Sequence, residues 1–158
     1  MIDDELDISK HRNLLHNIAL LVPHSIRILI STEGLDRYNC YMHAFDMIGC
    51  FGKNDPYTPL RGEFYVNSKF VQYLLDGGHL RKTRKARKGK LAIYFEKGVI
   101  RHIGCIAKGG RIVSKWGCGN LYEHRPREVP MMFGHRIRYY EPISGDDAVR
   151  LFEKFQDN

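Results

Sequence analysis

Residues 91–116 decide the fold, and they read LAIYFEKGVIRHIGCIAKGGRIVSKW. Three runs in this stretch are rich in β-branched and aromatic residues: they lie at 91–96, 100–107 and 111–116. Lys97-Gly98 and Gly109-Gly110 separate them, and such pairs are typical of hairpin turns. A fourth β-rich run follows at 136–140. The pattern predicts an antiparallel meander in the second half of the chain.

Apolar residues at helical spacing flank this β-rich half. The predicted helices lie at 4–21, 39–51, 67–75 and 145–155. Alternating Ile26, Ile28 and Ile30 predict a short strand at 25–31, with a continuation of the first helix as the alternative. Helices followed by strands indicate an α+β protein, with N-terminal helices packed on a C-terminal antiparallel sheet. The 158 residues are enough for one domain, 1–158, with its own core.

The cellular context is expected to be cytoplasmic. The first five residues, MIDDE, are acidic where a secretory signal is basic, and no apolar run approaches the roughly 18 residues of a membrane span. We therefore expect no membrane association. Four cysteines, Cys40, Cys50, Cys105 and Cys118, are too few for a disulfide scaffold and are expected to be reduced thiols.

The net charge of +7 comes from one segment. Residues 81–90 read RKTRKARKGK and contain seven basic residues and no acidic one, while the remainder of the chain is balanced. Such a run is typical of a solvated connector, and otherwise of a contact for phosphates or an acidic protein. The side chains available for an anionic partner are Arg81, Lys82, Arg84, Lys85, Arg87 and Lys88.

Cys40 and His102 are the candidate reactive pair. Asn39 can cap the helix predicted at 39–51, which places Cys40 in the first turn, where backbone N–H groups stabilise a thiolate. A thiolate nucleophile also needs a base, and His102 opens a predicted strand. A small buried cysteine and a structural strand histidine are the alternatives.

The order of these features resembles the NlpC/P60 group of papain-like cysteine hydrolases. A cysteine opens a helix, a strand reading GKLAIYF follows at 89–95, and His102-Ile103-Gly104 comes next. Later stretches reading SKWG at 114–117 and LYEH at 121–124 resemble uncharacterised papain-like relatives. Two positions depart from the family pattern: Lys90 replaces the usual acid of the first strand, and Ser114 replaces the usual His, Asn or Gln.

The resemblance implies a papain-like fold and cleavage of amide bonds without a cofactor. His102 would take the Cys40 proton, the thiolate would attack an amide carbon, and the Cys40 N–H, helped by Tyr38, would hold the oxyanion. Ser114 would orient His102, with His124 as its rival. The implied substrate is a peptide or small amide, peptidoglycan stem peptides among them, and deamidation or acyl transfer would use the same parts.

Two further hypotheses compete with the hydrolase hypothesis. One is a zinc site made from Cys40-x-x-His43 and His102-x-x-Cys105, although residues 102 and 105 of a strand point to opposite sides of a sheet. We therefore expect no metal. The other is a papain-like scaffold with weak or no catalysis, which binds nucleic acid or an acidic protein through its basic segment. The altered residue at Ser114 favours that alternative.

Overall fold

The computed structural model describes residues 8–29, 38–48, 66–117 and 119–157 of an α+β protein. The helices are α1 (Ile8–Leu21), α2 (Cys40–Ala44), α3 (Ser68–Asp76) and α4 (Gly145–Gln156). The strands are β1 (Arg27–Leu29), β2 (Lys82–Thr83), β3 (Leu91–Glu96), β4 (Val99–Ile106), β5 (Ile112–Lys115), β6 (Leu121–His124) and β7 (Arg136–Tyr140). Short 3-10 helices lie at Lys108–Gly110 and Met131–Phe133.

The seven strands form one sheet in the order β1-β6-β5-β4-β3-β7-β2, and all neighbouring strands are antiparallel. Strands β3, β4 and β5 are neighbours in chain order, so the predicted meander is confirmed for the first three of its four runs. The run at 136–140 is β7, which pairs with β3 on the other side. Strands β2 and β6 were not predicted. Each of the two edges is a short strand, β1 or β2.

Both faces of the central strands are buried. Leu91, Ile93 and Ile103 join a core that includes residues of α2, α3 and α4, and we call this side of the sheet the helix face. Ala92 and Tyr94 belong to a second cluster on the opposite side. We call that side the loop face, because the segment between β6 and β7 covers it.

A β-bulge interrupts the pairing of β3 with β4. Tyr94 pairs with His102, but Phe95 pairs with Ile100, so Arg101 is the extra residue. Phe95 and Ile100 both belong to the helix-face core. From His102 onward, β4 alternates regularly between the faces, beginning with His102 beside Tyr94 on the loop face.

Aromatic packing around Phe70 of α3 organises the helix face. Its ring centroid lies 5.1 Å from that of Phe152, 5.7 Å from Phe155 and 6.1 Å from Phe45. These distances are in the range of favourable aromatic pairs. The predicted helices at 67–75 and 145–155 correspond to α3 and α4, and they meet at this cluster.

The loop face is closed by the chain between β6 and β7. The Tyr94 hydroxyl donates to the Pro126 carbonyl at 2.9 Å. Gly134 adopts φ +90, and a Cβ built on it would lie 2.5 Å from the Phe95 carbonyl oxygen. Only glycine fits this close approach in the left-handed region. The adjacent Phe133 is thereby held over β3 and β4.

Helix α2 is shorter than the helix predicted at 39–51, so that prediction was wrong in its length. The helix ends at Ala44, and Asp46 has φ 53, in the left-handed region. The Met47 N–H donates to the Met42 carbonyl at 3.0 Å, and Met47 is buried. A tight turn therefore buries the apolar residue that helical spacing assigned to a longer helix. Residues 49–51 lie outside the described chain.

The N-terminal elements match their predictions in part. Helix α1 begins at Ile8, with residues 4–7 outside the described chain, and β1 covers 27–29 of the strand predicted at 25–31. The α1 stripe of Leu14, Ile18 and Leu21 is exposed rather than packed. Within the described residues, no helix combines the length and the apolar character that crossing a bilayer requires.

Candidate functional site

Cys40 lies in the first turn of α2, as predicted. Asn39 caps this helix: its side-chain oxygen accepts from the N–H groups of Tyr41 and Met42 at 3.0 and 3.1 Å. The Asn39 amide in turn donates to the Val66 carbonyl at 2.7 Å. Cys40 is buried and belongs to the helix-face core. The local sequence therefore positions the thiol at the predicted helix start.

A buried lysine accompanies Cys40 on this face. Lys115 is fully buried, its ammonium nitrogen lies 4.2 Å from the centroid of the Tyr38 ring, and it donates to the Gly119 carbonyl at 2.6 Å. These contacts offset part of the cost of burying a charge. Burial, and next the charge of Lys115, lower the pKa of His43. Tyr38, His43 and Lys115 thus surround the beginning of α2.

The contact made by Cys105 shows which side chains of β4 face the helices. Its thiol lies 3.5 Å from the Ala44 carbonyl and donates to it, so Cys105 faces α2. Burial raises the pKa of Cys105 to about 11, which makes it an inert thiol at neutral pH. Since strand side chains alternate, Ile103 also faces the helices and His102 points away from them.

His102 is enclosed on the loop face. Its ring stacks on Phe133 with centroids 4.1 Å apart, and the Tyr94 ring lies 5.5 Å away. Neither ring nitrogen has a hydrogen-bond partner among the described residues. Burial lowers the pKa of His102 to about 3, with a smaller contribution from His124. The imidazole is therefore neutral at ordinary pH.

The structure does not bring Cys40 and His102 together. Cys40 belongs to the helix-face core, whereas His102 packs under Phe133 on the other side of the sheet. The predicted reactive pair is corrected on this ground. The physical reason is that both faces of β4 are buried, so hydrophobicity alone did not reveal which alternate set of side chains meets α2.

Ser114 and His124 lie together on the loop face. The Ser114 hydroxyl oxygen is 2.8 Å from His124 Nε2, and His124 Nδ1 is 2.8 Å from the Arg125 carbonyl. A carbonyl only accepts, so Nδ1 carries the proton and Ser114 donates to Nε2. Trp116 donates its indole N–H to Ser114 Oγ at 3.2 Å. Ser114 therefore bonds His124 rather than orienting His102, which corrects its predicted role.

The zinc alternative gains no geometric support. Within the described residues, no group of three or more His, Cys, Asp or Glu side chains could hold a metal ion. Cys105 faces α2 while His102 lies on the loop face, which is the opposition that strand alternation predicted.

The basic segment 81–90 is exposed except at Thr83 and Lys90, which are half-buried. The six side chains named from sequence are all exposed: Arg81, Lys82, Arg84, Lys85, Arg87 and Lys88. Glu141 contacts Lys90 and lies 3.9 Å from Arg81. Among the described residues, Arg84, Lys85, Arg87 and Lys88 have no carboxylate at ion-pair distance. The Gly89 N–H donates to the Ile106 carbonyl at 2.8 Å and anchors the end of the segment.

Lys115 is the residue that sequence reasoning missed. The available signal was alternation in β5, where Val113 and Lys115 share one face and Ser114 takes the other. A lysine in such a strand is expected to face solvent, so the sequence did not predict its burial beside Tyr38. Phe133 was missed as well, because it lies in a short 3-10 helix without a periodic pattern.

No protein-family model, no curated protein and no solved structure matches this chain.

Proposed function

We propose that this chain is a nucleic-acid-binding module on a papain-like α+β scaffold, without a catalytic pair between Cys40 and His102. The observation that carries the proposal is the exposed basic segment 81–90, four of whose cations lack a carboxylate partner among the described residues. Unpaired surface cations are available to phosphates, and binding them releases the counterions of a nucleic acid.

The composition of the segment favours nucleic acid over an acidic protein. Between its basic residues stand only Thr83, Ala86 and Gly89, so it offers no large apolar side chain. The centre of a protein interface is built from aromatic and aliphatic anchors, whereas nucleic-acid interfaces are polar and strongly positive. Long cationic side chains on an anchored backbone suit phosphate contacts.

The test is fluorescence anisotropy of a labelled oligonucleotide over a range of salt concentrations. The plot of log K against log salt should be steep, and replacement of Arg84, Lys85, Arg87 and Lys88 by alanine should reduce its slope by about 3, at about 0.7 per single-strand phosphate. Arg127→Ala, at an exposed arginine outside the segment, is the control. No binding at low salt, or binding of polyglutamate alone, would contradict the proposal.

Amide hydrolysis by Cys40 is the second candidate, favoured by its surroundings on the helix face. His43 lies three residues further along α2, and Lys115 places a buried cation in the same region. In this scheme His43, not His102, takes the Cys40 proton and later gives it to the leaving amine. The thiolate forms the acyl bond as the amide C–N bond breaks, and water releases the acid.

The second candidate is tested by the pH dependence of Cys40 alkylation by iodoacetamide, with site occupancy read by mass spectrometry. A cationic environment predicts a rate plateau near neutral pH, which should move to higher pH in Lys115→Met. Circular dichroism verifies that this variant folds. An ordinary thiol titration in the unmodified protein would contradict the hydrolase.

A further inference from the structure

We propose that a single strand of nucleic acid continues from the basic segment along β7, held by Arg136 and Arg138. The inference rests on the proposed function and extends its binding surface to two residues outside 81–90. Both arginines lie on a strand that borders the end of this segment in the sheet.

The pairing of β2 with β7 makes the surface continuous. Lys82 pairs with Tyr140 and Thr83 pairs with Tyr139. Strand β2 ends at Thr83 and the chain bends at Arg84, so the pairing of the two strands reaches Tyr139, the neighbour of Arg138. Arg136 lies two residues beyond Arg138 in the same direction. The basic segment therefore begins beside β7, and Arg138 and Arg136 continue from that point along β7.

Arg138 and Arg136 share the helix face, at a place where a ligand can reach them. The guanidinium carbon of Arg138 lies 4.9 Å from the centroid of Phe95, which is a helix-face residue. Alternation puts Arg136 on the same face, while Ile137 and Tyr139 pack in the loop-face cluster. Arg136 is exposed and Arg138 is half-buried. Stacking on Phe95 orients the Arg138 guanidinium before any ligand arrives.

Two carboxylates near β7, one adjacent to it along the chain and one at the end of the neighbouring strand β3, contact other residues. Glu96 lies 2.9 Å from the ring of His135, and Glu141 contacts Lys90. Among the described residues, neither Arg136 nor Arg138 has a carboxylate at ion-pair distance. Two like charges on one strand face repel each other, and a bound phosphate strand relieves that repulsion.

The spacing favours one strand over a duplex. Residues two apart on a strand are separated by about 6.7 Å, so Arg136 and Arg138 form a single row of charges. One row follows one phosphate backbone, whereas a duplex presents two backbones across a groove. Among the aromatic residues of β7, Tyr139 faces the other side and Tyr140 is buried, so the row contacts phosphates rather than bases.

Protection of a sheet edge is one alternative role for these arginines. Edge strands commonly carry lysine to prevent pairing with another chain, and Lys82 on β2 fits that role. Strand β7 pairs with β3 along its length, whereas among the described residues β2 pairs with it only at Tyr139 and Tyr140. An ordinary solvated strand face is the other alternative, and both alternatives predict no effect on binding.

The experiment compares the salt dependence of oligonucleotide binding in four proteins. The unmodified chain is measured beside Arg136→Ala/Arg138→Ala, the charge-preserving Arg136→Lys/Arg138→Lys, and Arg127→Ala, which lines a groove with Pro126 of the loop-face segment. The double alanine variant should reduce the slope by about 1.4, at about 0.7 for each phosphate lost. The lysine pair should retain the slope, and Arg127→Ala should leave it unchanged.

The outcomes separate this inference from the proposed function. If the four substitutions in the basic segment reduce the slope while Arg136→Ala/Arg138→Ala does not, the proposed nucleic-acid binding is supported. The extension of the binding surface along β7 is then overturned. Absence of binding by the unmodified chain overturns both. A duplex that binds as tightly as the single strand overturns the single-strand assignment. If the lysine variant folds but reduces the slope as much as the alanine variant does, the positive charge of Arg136 and Arg138 does not explain their effect on binding. That result would also contradict the inference.

Discussion

The two faces of the sheet differ in what covers them and in the chemistry that they enclose. On the helix face, α2, α3 and α4 cover an apolar core around Phe70, with Cys40 and Lys115 buried in it. On the loop face, one irregular segment covers a cluster of aromatic and polar rings that includes His102 and His124. The sheet separates the thiol from these imidazoles. The two members of the predicted reactive pair therefore lie on opposite faces of the sheet.

The largest expected effect concerns how tightly each face is packed. Phe70→Ala should lower the free energy of unfolding by about 4 kcal/mol, because it opens a cavity in a fully buried cluster. Phe133→Ala on the loop face should cost about 2 kcal/mol, because that ring is half-buried. Urea unfolding measures both. Equal losses would contradict the difference in packing between the faces.

A second substitution tests how the loop face is closed. Gly134→Ala should lower the free energy of unfolding by about 3 kcal/mol, because the new Cβ meets the Phe95 carbonyl and φ is +90. Gly98→Ala is the matched control: its φ is +84, but a Cβ there meets open space, so about 1 kcal/mol is expected. A smaller loss for Gly134 than for Gly98 would show that the segment is not held at this point.

The pH dependence of stability should come mainly from the loop face. Burial lowers the pKa of His102 to about 3 and also lowers that of His124. Each ring binds a proton more readily in the unfolded chain, so their contribution is complete above about pH 6.5 and is lost as the pH falls toward 3. One such histidine should cost about 2 kcal/mol between pH 6.5 and 5.

The measurement is urea unfolding at a series of pH values. His102→Phe should flatten the curve between pH 6.5 and 5, while His124 retains its own share. His135→Gln is the control, because His135 is exposed. Parallel curves for the unmodified protein and His102→Phe would mean that His102 is not the buried neutral ring described above.

The smallest expected effect tests most directly whether the sheet separates Cys40 from His102. His102→Ala should leave the rate and pH dependence of Cys40 alkylation unchanged, because the sheet lies between the two side chains. Cys105 is an internal reference, since its pKa of about 11 delays alkylation to alkaline pH. A shift in the pH dependence of Cys40 alkylation in this variant would show that His102 interacts with the Cys40 thiol.

The sequence predicted the strands well because their turns are explicit. Lys97-Gly98 forms a turn with both residues at positive φ, and the predicted meander corresponds to β3, β4 and β5 with β7 beside them. Strands β2 and β6 were missed for physical reasons. Lys82 and Thr83 stand in a basic run that resembles a connector, and Leu121–His124 contains no β-branched residue.

The candidate site was predicted in its parts but not in its assembly. Asn39 and Cys40 occupy the expected cap and first turn, because capping is a local property. The face of His102 is not local, since it depends on which alternate residues of β4 meet α2. Because both alternate sets are buried from His102 onward, the sequence of the strand does not distinguish its two faces. A resemblance based on short motifs cannot supply that information.

The bulge at Arg101 has an evolutionary consequence. Side chains on the two sides of a bulge alternate in different phase, so movement of a bulge along a strand exchanges the faces of the residues that it passes. If the extra residue of β4 moved two positions toward Cys105, His102 would pair with Ile93 and turn toward α2, without insertion or deletion. The position of a single bulge thus separates this arrangement from one with the Cys40 thiol and the His102 imidazole on the same side of the sheet.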